Sequence, residues 1–257
     1  MATRKFQIYR GDNEKGEMVN FETEVMEGMV VLDVIHKIQA EQANDLAIRW
    51  NCKAGKCGSC SMEINGKPKL SCMTRMNEYK PDETITITPM KTFPVIKDLV
   101  CDVSWNYTQN KRIKPVKLAP ESKTEKGYVM YQKDVDRAQE FRKCIECYLC
   151  QNVCHVLRDH DKKDSFVGPR FMIRVASLEM HPLDIEDRIP ELKNDFGSGL
   201  CNITKCCTDV CPEHIHITDN GIIPLKERVI DRFYDPVTIL GRKIFGVRKK
   251  KLPPLNP

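Results

Sequence analysis

Cys52-Lys-Ala-Gly-Lys-Cys57-Gly-Ser-Cys60, with a fourth cysteine at Cys72, is the stretch from which the fold is read. Its spacing is C-x4-C-x2-C…C. Two bridged irons need four thiolates converging from more than one direction, and this spacing supplies three from one tight loop and a fourth from later in the chain. Gly55 and Gly58 let the backbone curl around such a group, because glycine tolerates positive φ. Backbone N–H groups in a curled loop can then bond the sulfurs. Zinc is the competing occupant, but its structural sites favour C-x2-C pairs over a C-x4-C-x2-C loop followed by a hairpin. The stretch therefore reads as a [2Fe–2S] site with Cys52, Cys57, Cys60 and Cys72 as ligands.

The flanking sequence reads as a compact β-rich domain. FQIYR (6–10), NFETEVM (20–26) and ETITITP (83–89) alternate as strands do. GMVVLDVIHKIQAEQ (28–42) carries Val31, Val34, Ile35 and Ile38 at helical spacing. SMEING (61–66) ends on Asn65-Gly66 and KPKLSCM (67–73) returns, which signals a hairpin. The polar segment 106–127, with two prolines and little periodicity, reads as an exposed connection. Beyond it, segments 134–150, 168–180 and 224–236 carry helical patterns, with cysteines clustered where helices begin and end. Two domains are expected, 1–106 and 107–257.

A second set, Cys144, Cys147, Cys150 and Cys154, follows the bacterial ferredoxin run C-x2-C-x2-C-x3-C-P, except that His155 stands in the proline's place. A third stretch, CNITKCCTDVCP (201–212), lays Cys201, Cys207, Cys211 and Pro212 on the same template, but Thr204 occupies the second thiol position. In two-cluster ferredoxins the last cysteine of each run serves the other cluster. That rule gives Cys144, Cys147, Cys150 and Cys211 to a [4Fe–4S] cluster. It leaves Cys154, Cys201 and Cys207 for a cubane short of one iron, [3Fe–4S], with Thr204 facing the missing corner. Cys207 keeps the template frame where Cys206 does not. Cys206 and Cys101 then read as spare, buried apolar thiols.

Composition agrees. Thirteen cysteines in a chain without the apolar core of a secretory signal point to metal rather than to disulfides. No run approaches the roughly 20 apolar residues that cross a bilayer. Net charge is +5, and the segment 241–257 (GRKIFGVRKKKLPPLNP) is strongly basic. It reads as a solvated tail or as one lying near anionic headgroups. Basic and aromatic residues do not interleave, so nucleic acid is not an expected partner. The chain has no G-x-G-x-x-G. Gly197-Ser-Gly199 is an isolated fragment, because Asn202 fills the third glycine's slot.

Taken together, segments 52–72, 93–104 (FPVIKDLVCDVS), 144–154 (CIECYLCQNVC) and 201–212 resemble the iron–sulfur subunit of succinate dehydrogenase and fumarate reductase over nearly the whole chain. The resemblance implies an α+β fold: an N-terminal β-grasp plant-type ferredoxin domain, then an all-helical bacterial-type ferredoxin domain. It implies an electron-transfer subunit of a membrane-bound enzyme, working between an FAD-containing flavoprotein subunit and quinone at a membrane anchor, through [2Fe–2S], [4Fe–4S] and [3Fe–4S] clusters in line. The dicarboxylate would bind the flavoprotein, not this chain. The expected location is the cytoplasmic face of a bacterial inner membrane, peripheral to it. The iron–sulfur subunit of another flavin-linked dehydrogenase with the same clusters is the alternative.

The segment 155–165 (HVLRDHDKKDS) departs from the family. It lacks the tryptophan that contacts quinone in many members, and Asn202 stands where many have histidine. His155, His160 and Asn202 are the candidate quinone-side contacts, each weighed against a plain surface role. The anchor would then carry haem or another relay.

Overall fold

A hairpin opens the chain. In the computed structural model, which describes residues 2–120, 123–125 and 127–246, β1 (Ala2–Gly11) pairs antiparallel with β2 (Gly16–Val25). Asp12 holds the turn by accepting the N–H groups of Glu14 and Lys15, each at 2.9 Å. Alternation sends Phe6 and Ile8 fully into the core. Helix α1 (Val31–Glu41) lays Val31, Val34, Ile35 and Ile38 against that core, as their spacing requires. β3 (Ser61–Ile64) and β4 (Lys67–Leu70) close through Asn65 and Gly66, both left-handed at φ 48° and 71°, the conformation of a two-residue hairpin loop. β5 (Ile85–Thr88) runs parallel to β1 and antiparallel to β3, which gives the order β2-β1-β5-β3-β4. A mixed sheet gripping one helix is the β-grasp arrangement.

β6 (Val95–Lys97) and β7 (Val100–Cys101) then form a small ribbon. The segment read as an exposed connection is different from that reading in its first half. Helix α2 (Ser104–Arg112) occupies it, and runs across the expected cut between 106 and 107. Its buried positions are Asn106 and Gln109. Asn106 accepts from Gln151 at 3.4 Å. A helix that buries amides shows no apolar stripe, so the pattern search has nothing to find. A short hairpin follows, β8 (Lys123–Thr124) and β9 (Gly127–Tyr128).

The rest is helical. The segment 134–150, read as one helical pattern, is split. Helix α3 (Gln132–Gln139) ends in a 3-10 turn, Glu140–Lys143, and the chain leaves the helix at Cys144. Glu146 and Tyr148 take left-handed φ of 56° and 61° before α4 (Leu149–Val153) and α5 (His155–Arg158). That curl turns Cys144, Cys147 and Cys150, each three positions from the next, toward one cavity, where a continuous helix would step them up one side of its axis. Next come α6 (Pro169–Glu179), α7 (Ile189–Asn194), α8 (Cys206–Asp209), α9 (Ile223–Phe233) and α10 (Pro236–Phe245). Leu157, Phe166, Phe171, Met172, Ile173, Leu192 and Phe196 form their common core. The chain is thus α+β, a ferredoxin sheet domain followed by a helical one. Among the described residues no helix is long and apolar enough to cross a membrane. Lys249, Lys250 and Lys251 of the basic tail lie outside the described residues.

Candidate metal centres

The loop between α1 and β3 gathers the first set. Gly55 and Gly58 take φ of 66° and 69°, the left-handed turns that curl it. Cys52 Sγ accepts the N–H groups of Ala54 (3.4 Å) and Lys56 (3.3 Å). Burial pushes the Cys72 thiol up to about 12, and the Cys60 and Cys52 sulfurs beside it push the same way. Burial also acts to raise Cys57, but hydrogen bonds from Ser59 and Cys52 outweigh it and bring this thiol down to about 6. Four sulfurs from one loop and one strand end therefore face one another, with amide donors already aimed at them.

The helical domain holds two further sets, and its topology crosses them. Cys211 belongs to the later run, yet it lies with the first three cysteines of the earlier one. Cys144, Cys147, Cys150 and Cys211 line one cavity, together with Arg170, Ile173, Pro212 and Ile215. Burial raises the Cys147 thiol to about 12, and Cys144 and Cys211 add to the rise. Cys150 goes well above its ordinary value, first by burial and then by Cys147, Cys144, Cys207 and Cys211. Conversely, Cys154 sits with the later run. Burial lifts it to about 11, with Cys206 and Cys201 adding to the lift. Cys207 reaches about 12 through burial, Cys206, Cys201 and Cys154, while the Thr218 hydroxyl opposes the rise. That hydroxyl stands 3.5 Å from Cys207 Sγ and itself receives a hydrogen bond from Thr208 at 3.1 Å.

These donor sets fit iron–sulfur clusters. A buried thiol pushed toward 12 does not ionise alone near neutral pH. It ionises when a cation balances it. Cys144, Cys147, Cys150 and Cys211 surround a cavity, and among the described residues no three His, Cys, Asp or Glu side chains are placed to hold a single metal ion. Cys207 appears among the charges acting on Cys150, so the two helical sets are neighbours.

The ferredoxin loop docks directly on this domain. A Cβ built on Gly58 would stand 2.6 Å from Cys147 Cα. Lys56 pairs with Glu213 at 3.1 Å. Glu63, on β3 and fully buried, accepts from Asn152 at 2.9 Å and pairs with Arg158 at 3.1 Å. Thr92 donates to Asn152 through its N–H at 3.1 Å. Leu32, Leu70 and Leu149 seal the same contact around Cys60, Cys72 and Cys147. A buried carboxylate is tolerated where charge and amide partners converge on it, and removing one partner is costly. Glu63 and its partners were not singled out from the sequence, and no local motif marks them.

The other expected residues are less gathered. His155 opens α5 directly after Cys154, and its ring meets that of exposed His160 edge-on at 6.1 Å. Asn202 is exposed beside Cys201. Cys101 is buried, as expected, with its sulfur 3.5 Å from Met90 O. Cys206 corrects the sequence reading. It is only half-buried, its sulfur lies 3.3 Å from the Thr204 hydroxyl, and it acts on Cys154 and Cys207. It opens the short helix α8 at the rim of the third set, so the apolar burial expected of a spare thiol is not available to it.

A sheet domain with one thiol loop, and a helical domain with two crossed thiol sets behind it, define a class: an electron-transfer protein with a [2Fe–2S] domain and a [4Fe–4S] dicluster domain. Residues 5–108 match the family of 2Fe-2S iron-sulfur cluster binding domains, and residues 140–215 the 4Fe-4S dicluster domain. The chain is 31% identical over 202 residues to the fumarate reductase iron–sulfur subunit of Mycobacterium tuberculosis, covering 76% of this chain and 79% of that one. It is 28% identical to the succinate dehydrogenase iron–sulfur subunit of Paracoccus denitrificans, covering 89% of each. A chain of the Mycobacterium smegmatis Sdh1 complex superposes with a TM-score of 0.89 at 58% identity, over 92% of this chain and 99% of that one. Two archaeal iron–sulfur proteins also match, and the chain spans 42% and 44% of their lengths. The chain belongs to the iron–sulfur subunits of succinate dehydrogenase and fumarate reductase.

Proposed function

We propose that this chain relays electrons between the FAD of a flavoprotein subunit and quinone at a membrane anchor. Cys52, Cys57, Cys60 and Cys72 would hold [2Fe–2S]. Cys144, Cys147, Cys150 and Cys211 would hold [4Fe–4S], and Cys154, Cys201 and Cys207 would hold [3Fe–4S]. The observation that carries the reading is the series of contacts: Gly58 touches Cys147, and Cys150 neighbours Cys207. Three redox groups then stand in file through one chain. The clusters supply one-electron chemistry. The chain's own part is to hold them close, keep water away and donate N–H and O–H groups to their sulfurs. Cys52 Sγ already receives two amide bonds, and Cys207 Sγ stands beside the Thr218 hydroxyl. The boundary between the domains would fall within or just before α2.

The quinone side would be the end carrying Cys154, Cys201, His155, His160 and Asn202. Helix α10 leaves Val237, Leu240 and Ile244 exposed, at 79%, 59% and 63%. It leads into the basic tail of Lys249, Lys250 and Lys251. An apolar helix face with basic residues after it suits an anionic bilayer surface beside the anchor, on the cytoplasmic side of a bacterial membrane. Electron paramagnetic resonance of the intact complex tests the relay. Three signals are expected: a reduced [2Fe–2S], a reduced [4Fe–4S] and an oxidised three-iron resonance. Absence of the three-iron resonance in the oxidised complex would overturn the third assignment. Zinc in place of iron and acid-labile sulfide would overturn all three.

A further inference from the structure

Arg170 and Glu213 are the charged side chains among those lining the cavity formed by Cys144, Cys147, Cys150 and Cys211, and Arg170 is the cation of the two. It is 5% exposed. One end of its guanidinium pairs with Glu146, a carboxylate whose side chain is half exposed. Its Nε is buried and has no hydrogen-bond partner. Leaving a buried donor unmade is costly, and more so for a charged group. The charge acts on Cys144 and is acted on by Cys144 and Cys150. The residue occupies the first turn of α6, an end of the helix that carries partial positive charge of the same sign. Neither the thiol motifs nor the proposed relay uses it. Gln151 fixes its backbone, accepting from Arg170 N at 3.3 Å.

We infer that Arg170 sets the potential of the middle redox group, by presenting a buried positive charge and the free Nε–H to the sulfurs held by Cys144, Cys147, Cys150 and Cys211. When that site accepts one electron from the [2Fe–2S] side, its negative charge grows by one. A fixed cation and an unpartnered donor in the wall of that cavity stabilise the added charge with little reorganisation, so the reduced form is favoured. The same electron leaves toward the third site, and nothing is consumed. Glu146 moderates the effect, because it shares the guanidinium.

The inference rests on those four cysteines holding [4Fe–4S], and the experiment separates the two claims. The intact complex is titrated with dithionite, and the four-iron signal is followed against ambient potential in the unmodified protein and in R170Q, R170K and E146Q. R170Q should lower the reduced-to-oxidised ratio at fixed potential about tenfold, the order expected of a partly paired charge at a few ångströms, which for one electron reads as about 59 mV toward negative values. R170K keeps the charge but loses the fork, so its shift should have the same sign and a smaller size. E146Q should move the potential the other way. A loaded R170Q with an unchanged potential overturns the inference. If R170Q does not load the cluster, E146Q decides: an unchanged or more negative potential overturns it. A missing four-iron signal in the unmodified complex would instead overturn the ligand assignment.

Discussion

The ferredoxin loop and the crossed helical runs solve one problem in two ways. The loop draws four thiols from within 52–72, and the β3–β4 hairpin alone delivers the last of them. The helical sets each borrow a thiol from a distant run: Cys211 lies with Cys144, Cys147 and Cys150, and Cys154 lies with Cys201 and Cys207. A local set can assemble once one loop curls. A crossed set needs most of the helical domain in place, and in turn staples it. The first site is therefore a feature of a segment, and the second pair is a feature of a fold.

The largest break in that comparison should come from Cys211→Ala. It should abolish the [4Fe–4S] signal while sparing the three-iron one, although residue 211 sits in the Cys201 run. The thermal transition of the helical domain should drop as well. Loss of the three-iron resonance with the four-iron signal intact would mean that the runs are not crossed. Cys52→Ala should do less. It should erase the [2Fe–2S] signal and leave both others, because its partners are local. Should the three-iron signal alone vanish instead, the local assignment is wrong.

Thr204→Cys sharpens the contrast between a full and an incomplete cubane. A thiolate three residues from both Cys201 and Cys207 should let the third site take a fourth iron. The oxidised three-iron resonance should then disappear, with a gain of one iron per complex, and the terminal potential should fall. The structure supplies a rival outcome. Thr204 is exposed and its hydroxyl lies 3.3 Å from Cys206 Sγ. An unchanged three-iron signal would place residue 204 away from the missing corner and make Cys206, in place of Cys207, the ligand that sets the frame.

Sequence legibility followed the same divide. The loop, its hairpin and α1 could be read directly, because each rests on neighbours in sequence. The two-cluster ferredoxin rule led to the expectation that Cys154 and Cys211 serve each other's runs, and the thiols lie together in that arrangement, with Cys211 beside Cys144 and Cys147 and Cys154 beside Cys201. What could not be read lies where distant segments meet. Helix α2 was hidden because it buries Asn106 and Gln109 in place of apolar residues. The Glu63–Asn152–Arg158 contact joins residues about ninety positions apart. Cys206 was misjudged because its environment is set by a rim, not by its run. Gly58 was read as a glycine needed for loop curvature. Its second role, as the place where one domain's backbone meets the other's, has no signature in the loop.

That second role can be isolated with a pair of variants whose expected effect is the smallest. Gly55 and Gly58 share a loop and a backbone conformation, φ 66° and 69°. Alanine at either should cost about 1–2 kcal/mol for the left-handed strain. Their surroundings differ. A Cβ at 55 would meet the Met73 side chain at 2.9 Å, a flexible neighbour that can turn away. A Cβ at 58 would meet the Cys147 backbone at 2.6 Å, which cannot yield without moving a thiol of the next set. Gly58→Ala should therefore push the two domains apart, and Gly55→Ala should not. Tunnelling falls steeply with distance, so the rate from [2Fe–2S] to [4Fe–4S] should drop several-fold in the Gly58 variant beyond any drop in the Gly55 variant. The magnetic interaction between the two reduced clusters should weaken with it. Both variants should keep the [2Fe–2S] signal, since none of its thiols is changed. If the two behave alike in rate and in spin coupling, Gly58 serves curvature only, and the docking contact does not set the spacing of the relay.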